Sequence, residues 1–329
     1  MTLTEAEISA RLGKLSELRQ AIGRAVVGQE AAVEQLLVAL IAGGHCLIEG
    51  VPGLGKTLLA RTLGKALALE FRRVQFTPDL MPSDILGTEV LEEDRGTGHR
   101  SFRFQAGPVF TNLLLADELN RTPPKTQAAL LEAMQEHTVS HAGVTRALPE
   151  PFFVLATQNP LEQAGTYPLP EAQLDRFLLN VRVDYPTLDE ERAILAQTTG
   201  AGEAQVPQVM TGADVIALQG LARQVVVGEN LLTWITRLVR ATRPGDEAPR
   251  AVRDWVRWGA GPRAGQSLVL AGKARALLHG RLAATRDDVT ALAAAVMRHR
   301  ILPSFAAEAD RASTDDVVAA LLAAVPPPS

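Results

Sequence analysis

Gly50-Val51-Pro52-Gly53-Leu54-Gly55-Lys56-Thr57 is the stretch from which the rest of the chain can be read. It has the GxxxxGKT form of a phosphate-binding loop, and its flanks give that form a context. His45-Cys46-Leu47-Ile48-Glu49 ahead of it has the pattern of a short buried strand. Leu58-Leu59-Ala60-Arg61-Thr62-Leu63-Gly64-Lys65-Ala66-Leu67 behind it reads as an amphipathic helix. The glycines let backbone N–H groups curl around phosphates with no Cβ in the way. The following helix adds the partial positive charge of its N-terminus. Lys56 then reaches the β- and γ-phosphates, and the Thr57 hydroxyl is placed to bind Mg²⁺. The expected nucleotide contacts therefore run from Gly50 through Val51, Pro52, Gly53, Leu54, Gly55, Lys56 and Thr57 to Leu58.

The bulk properties set bounds around this loop. A chain of 329 residues suggests about two domains. A hydrophobic content of 47% is ordinary for a globular protein with a substantial core. The net charge of −4 and pI near 5.9 provide no global basic field to draw the chain to nucleic acid or anionic lipid. The single cysteine, Cys46, rules out an internal disulfide and fits a reducing compartment. Met1-Thr2-Leu3-Thr4-Glu5-Ala6-Glu7 carries acids where a secretory leader has basic residues. The apolar run from Leu36 to Ala42 is too short to cross a bilayer. A cytoplasmic protein without membrane insertion is expected.

Outward from the loop, helices are expected over 5–25 and 31–42. Further strands are expected at 72–76, 113–116, 152–156 and 178–183. Short apolar strands alternating with helices predict an α/β fold whose parallel sheet is covered on both faces. Thr88 to Glu92 and Arg100 to Phe104, flanking Asp94-Arg95-Gly96-Thr97-Gly98, read as a β-hairpin. A second hairpin is expected around His141-Ala142-Gly143, after a helix at 126–136. Thr187 with Glu190 opens a helix in the capping-box pattern, and the segment near 200–208 reads as a linker. Beyond it the chain is Ala/Leu/Val-rich and helical, with cap patterns at Thr211/Asp214, Thr285/Asp288 and Ser313/Asp316. Trp234, Trp255 and Trp258 stand at helical spacings and are expected in the core of that helical part. His137 and His141 sit among β-prone residues, which favours a surface hairpin over a metal pair.

Leu113-Leu114-Leu115-Ala116-Asp117-Glu118 is an apolar strand ending in two acids, at the edge where α/β folds bind ligands. Asp117 is placed to hold Mg²⁺, directly or through water, and Glu118 to polarise the water that attacks the γ-phosphate. Asn159 ends the fourth strand, in Ala156-Thr157-Gln158-Asn159-Pro160, and Arg176 falls in Leu174-Asp175-Arg176-Phe177. Taken singly, Asn159 could be a simple cap and Arg176 a surface ion-pair partner.

Together these stretches resemble the AAA+ ATPases, and specifically the MoxR family. The resemblance runs from Val27-Gly28-Gln29-Glu30 to Arg298-His299-Arg300-Ile301 and is most specific in Gln75-Phe76-Thr77-Pro78-Asp79-Leu80-Met81-Pro82-Ser83-Asp84-Ile85-Leu86-Gly87. Ala116-Asp117-Glu118-Leu119-Asn120-Arg121 and Leu169-Pro170-Glu171-Ala172-Gln173-Leu174-Asp175-Arg176-Phe177 extend it. It implies that Asn159 is sensor 1 and that Arg176 is an arginine finger offered to a neighbouring subunit. Arg263, in Gly261-Pro262-Arg263-Ala264, is implied to be sensor 2, reaching the phosphates from the lid. That segment reads Gly-Pro-Arg where Ser-Pro-Arg is more usual. Val27 and Gly28 match the segment that packs on adenine.

The resemblance further implies a P-loop AAA+ core with sheet order 5-1-4-3-2 and two hairpin insertions placed as in the helix-2-insert group that includes magnesium chelatase. It implies a core over 1–187, a connecting stretch over 188–209 and a helical lid over 210–325. The implied activity is ATP hydrolysis with ATP and Mg²⁺ as cofactors, in a homo-oligomeric ring, usually a hexamer. Chaperone-like maturation of other proteins is implied, with partners that carry a von Willebrand factor A domain. A nucleic-acid motor is the main alternative, weakened by the acidic balance and the lack of a Lys/Arg tract in the hairpins. A threading unfoldase would need an aromatic grip at a hairpin tip. A sigma-factor activator would need a Phe-Thr-Gly loop, and neither sequence is present.

Overall fold

The computed structural model describes residues 5–93, 100–160, 165–199 and 205–327. The expected turn at Asp94–Gly98 and residues 200–204 of the expected linker lie outside them. Strands β1 (Cys46–Glu49), β2 (Phe71–Gln75), β3 (Leu113–Asp117), β4 (Phe153–Gln158) and β5 (Leu179–Arg182) form one parallel sheet. Their order is β5-β1-β4-β3-β2, as the resemblance implied. β3 and β4 are buried along almost their whole length, which is why they read as unbroken apolar runs. β2 lies at one edge and carries Arg72 and Arg73, the charged dress that keeps an edge strand from pairing with another chain.

One face of the sheet, with Cys46, Ile48, Leu155 and Val181, packs against the helices Glu5–Ala25, Glu30–Ala42 and Lys56–Ala66. That core continues without a break into the lid helices through Leu218, Trp234, Leu268, Leu277 and Val296. The other face, with Leu47, Leu114, Val154 and Ala156, is covered by Leu130, Leu131 and Met134 of the helix Pro124–Glu136. Both hairpins form, as Gly87–Glu93 with Arg100–Ala106 and as Thr138–His141 with Val144–Ala147. They meet where the Arg146 guanidinium stacks 3.9 Å over the Phe104 ring.

The lid helices start where the cap patterns put them. Thr211/Asp214, Thr285/Asp288 and Ser313/Asp316 each form a reciprocal capping box, as does Thr187/Glu190 at the helix Leu188–Thr198. Each such cap contributes about 1 kcal/mol. Trp234 is buried as expected, but Trp258 is 73% exposed. It ends a short strand, Val256–Trp258, in which the pairing register shifts between the buried Val256 and Trp258, so the helical spacing was misleading there. His137 caps the helix Pro124–Glu136 in the left-handed region, and His141 ends a hairpin strand beside Phe104. No helix among the described residues is long and apolar enough to cross a membrane.

The lid helix Pro262–Leu278 runs antiparallel to the helix Glu30–Ala42. Near its end, Arg275 Nε donates to Glu34 at 2.8 Å, and His279, just past it, lies 3.2 Å from the same carboxylate. Its start is tied to the segment before β5 by Arg263, which donates to Asp175 at 3.2 Å.

Candidate functional site

At the carboxyl edge of the sheet, the turn after β1 carries Gly53 and Gly55 at φ +87 and +76, a region that glycine enters without strain. The chain can therefore turn back over the first turn of the helix Lys56–Ala66, with Thr57 and Leu58 next along it. Lys56 Nζ donates to the carbonyls of Gly50 and Val51, which holds the ammonium over the loop. Gln29 Nε2 donates to the Leu54 carbonyl at 2.8 Å, so the Val27-Gly28 segment sits beside the loop. A Cβ at Gly28 would lie 3.0 Å from Glu190, the acid of the capping box on Leu188–Thr198.

The two acids lie in one hydrogen-bond network. Asp117 Oδ1 accepts from the Thr157 hydroxyl at 2.6 Å, and Oδ2 accepts from Arg73 Nη2 at 2.7 Å and Nε at 3.1 Å. Glu118 takes a left-handed conformation, and its N–H donates to the Thr157 hydroxyl at 2.8 Å. Its Oε2 accepts from Gln75 Nε2 at 2.6 Å and from Arg121 at 2.9 Å. Asn159 follows β4 at the same edge, two residues beyond Thr157. Partial burial pulls the Lys56 ammonium below its ordinary range, while the carboxylates of Asp117 and Glu118 pull it the other way. Loop and acids thus share one electrostatic site.

Arg73, Gln75, Thr157 and Arg121 are the participants that the sequence reading missed. Arg73 and Gln75 stand two apart on β2, so they share a face, and Gln75 lies in register with Asp117. The signal was present, but it becomes readable only once β2 is known to be β3's neighbour.

The donor set suits Mg²⁺ held jointly with phosphate. Thr57 and Asp117 offer hard oxygen ligands, and no cluster of three or more His, Cys, Asp or Glu forms a protein cage among the described residues. Mg²⁺ characteristically uses one or two such oxygens, keeps several waters and fills its shell with phosphate oxygens.

The remaining two predicted residues lie elsewhere. Leu178 N–H donates to the His45 carbonyl at 2.8 Å, so Arg176 precedes β5 at the amino edge of the sheet. The phosphate loop leaves β1 four residues later, about 13 Å along the strands. Arg176 Nη1 donates to the Leu131 carbonyl at 2.9 Å. Arg263 joins this edge through Asp175, whose other oxygen accepts from the buried Arg300 at 2.7 Å. Arg275, which marks the phosphate-loop end of the lid helix, is twelve residues beyond Arg263, or about 18 Å along the helix axis. Within this copy Arg263 therefore lies away from the phosphate loop, bound to Asp175. The antiparallel course of the helix carries Arg263 to the opposite edge, beside Arg176.

Residues 45–179 match the family described as ATPase family associated with various cellular activities, and residues 250–321 match the AAA lid domain. The chain is 43% identical over 305 residues to Chaperone MoxR1 of Mycobacterium tuberculosis, spanning 92% of this chain and 80% of that protein. It is 32% identical to Protein MoxR of Paracoccus denitrificans, spanning 99% of both. The crystal structure of a candidate ATPase from Cytophaga hutchinsonii superposes with a TM-score of 0.91 at 39% identity, covering 99% of this chain and 98% of that one.

Proposed function

The chain belongs to the MoxR family of AAA ATPases, and we propose that it is a cytoplasmic, Mg²⁺-dependent ATP hydrolase that drives chaperone-like remodelling of partner proteins. The observation that carries this reading is the meeting of Lys56, Asp117, Glu118 and Thr157 at one edge of the sheet, while Arg176 and Arg263 stand together at the other. Lys56 and the loop N–H groups hold the phosphates, with Val27 and Gly28 against the base. Thr57 and Asp117 supply oxygens to the metal, which when bound neutralises charge on the β- and γ-phosphates. Glu118 orients and polarises water, and Asn159 positions it against the γ-phosphate. Gln75 and Arg121 hold the Glu118 carboxylate in place.

A residue that precedes β5 cannot complete its own pocket, so Arg176 and Arg263 are read as acting on the nucleotide of the next copy. Such a head-to-tail contact closes into a ring, for which a hexamer is proposed. The core over 1–187 and the lid over 210–325 then move as one unit with the shared apolar core, joined by the stretch 188–209. The first hairpin exposes Val90, Leu91 and Phe102, and pairs Arg100 with Glu93 and Arg103 with Glu92. An apolar face with neutralised arginines suits a protein partner, here a von Willebrand factor A-domain protein, better than a nucleic-acid backbone.

The test is a pair of variants. Glu118→Gln should bind ATP with near-normal affinity and lose roughly 10²–10⁴-fold in turnover, because the amide cannot polarise water as a carboxylate does. Lys56→Ala should fail at binding itself. Equal loss of affinity in both would overturn the assignment of roles.

A further inference from the structure

The helix Leu188–Thr198 has no buried residue at all, which is unusual for an eleven-residue helix carrying leucines. Leu188 is 83% and Leu195 58% exposed, and Asp189, Glu190 and Glu191 crowd its first turn. A helix of this length gains most of its stability from packing, so Leu188 and Leu195, seven apart on one side with Glu191 and Arg192 between them, point to a partner. The helix lies on the nucleotide side of the molecule. Glu190 packs over Gly28, and Gln197 donates to the Arg24 carbonyl at 2.9 Å.

A complementary surface lies on the lid. Leu232, Val239, Val269 and Leu270 line an open, largely apolar groove of about 690 Å³ between the helices Glu229–Ala241 and Pro262–Leu278. Arg240 and Arg243 border it, and the lining runs up to Pro262, the residue before Arg263. Arg240 is exposed at this border, and Arg243 Nε donates to the Ala260 carbonyl at 3.2 Å. The groove therefore continues the edge that carries Arg263 and Arg176, whereas the free helix adjoins the loop that carries Lys56. These are the two opposed sides of the head-to-tail contact read above.

We propose that the helix Leu188–Thr198 of one copy seats in the lid groove of the next, with its leucines on Val239 and Val269 and its acidic first turn against Arg240 and Arg243. The inference rests on the assembly proposed above and adds the element that docks. It has a further consequence. Because Glu190 covers Gly28, adenine beside Val27 and Gly28 bears on the start of the docked helix, so base occupancy in one copy reaches the lid of its neighbour.

Cysteine pairing tests this cleanly, since the single native cysteine, Cys46, is fully buried and burial pushes its thiol pKa upward. Full-length Leu195→Cys and Val269→Cys chains, mixed in equal amounts with ATP, should form a covalent dimer with a short bifunctional maleimide. Neither variant should do so alone. In sedimentation, Asp189→Arg/Glu191→Arg should weaken self-association about tenfold, and Arg240→Glu in the facing copy should recover most of that loss. Assemblies that form normally but do not cross-link overturn the proposal. A chain that stays monomeric with every nucleotide also overturns it. ATP binding by such a monomer would leave the proposed nucleotide site standing, while loss of ATP binding with the cross-link intact would strike that site alone.

Discussion

At the carboxyl edge of the sheet, Lys56, Asp117 and Glu118 are bound to partners that a ligand can displace: loop carbonyls, the exposed Arg73 and the side chain of Gln75. At the amino edge, Arg300 is buried to 2% exposure and donates to Asp175, Phe177 and Leu178 together, while the half-exposed Arg263 takes the remaining Asp175 oxygen. The first edge is adaptable and the second is anchored. A site that must admit and release nucleotide needs groups that exchange partners. A residue presented to another molecule needs a fixed mount, because a displacement of about 1 Å at a reacting centre can cost roughly 100-fold in rate. Arg300 has the burial and the partners of such a mount. Breaking a buried pair of this kind typically costs several kcal/mol, which limits how far the edge can relax.

The largest effect is expected where the two edges meet between copies. Arg176→Ala should lower turnover by about 10³-fold or more, the range for arginines supplied to a neighbouring phosphate. Its own pocket should still bind ATP. Mixed with Lys56→Ala, it should regain measurable hydrolysis, because an intact finger can then face an intact pocket. Arg263→Ala should behave in the same way in the mixture. If Arg263→Ala instead weakens ATP binding by its own copy, the assignment of Arg263 to the amino edge fails. Absence of rescue in assemblies shown to be mixed would make Arg176 a structural residue.

A smaller effect should come from the ion cluster that sets the direction of the lid helix. Burial tends to raise the Asp288 pKa, but bonds from Arg281, Thr285 and Arg275 outweigh it and hold the carboxyl at about 2. Relative to an ordinary carboxyl near 3.8, that corresponds to about 2 kcal/mol. Because the folded value is depressed, the contribution is complete above pH ~4 and disappears as pH falls towards 2. Asp288→Asn should therefore lower the denaturation midpoint at neutral pH and flatten the acid limb of stability against pH. An unchanged acid limb would show that other carboxyls set it.

The contrast between the edges also explains what the sequence disclosed. The phosphate loop is contiguous, so strand, turn and helix can be read from the 23 neighbouring residues 45–67. The four capping boxes are equally local, and all four form. The order of the five strands came from resemblance, since parallel crossovers leave no local mark of which strands become neighbours. The partners of Asp117 and Glu118 stayed hidden for that reason: Arg73 and Gln75 are more than forty residues away. The place of Arg263 in the fold was not readable, because it depends on helix direction, and that is set by Arg275 and Glu34, 241 residues apart. Trp258 shows the opposite failure, in which a helical period was read into a segment that turns into a strand.

The smallest effect should separate two readings of Arg73 at the adaptable edge. Its guanidinium gives two hydrogen bonds to Asp117 Oδ2, while Oδ1 accepts one from Thr157, so both oxygens of the proposed metal ligand are engaged by protein. Arg73 is 48% exposed and Asp117 13%, so the pair is only partly shielded from water and contributes about 0.5 kcal/mol. If guanidinium and Mg²⁺ draw on the same oxygen, removing the guanidinium should favour the metal. Arg73→Ala should then lower the Mg²⁺ concentration needed for half-maximal binding of a fluorescent ATP analogue by roughly two- to threefold, with Arg73→Lys in between. Measured as binding, this result does not depend on turnover. A higher Mg²⁺ requirement in Arg73→Ala would mean that the arginine orients Asp117 for the metal instead of competing with it. The carboxyl edge would then be preorganised in the same sense as the amino edge, and the contrast drawn between the two would fail at its most exposed residue.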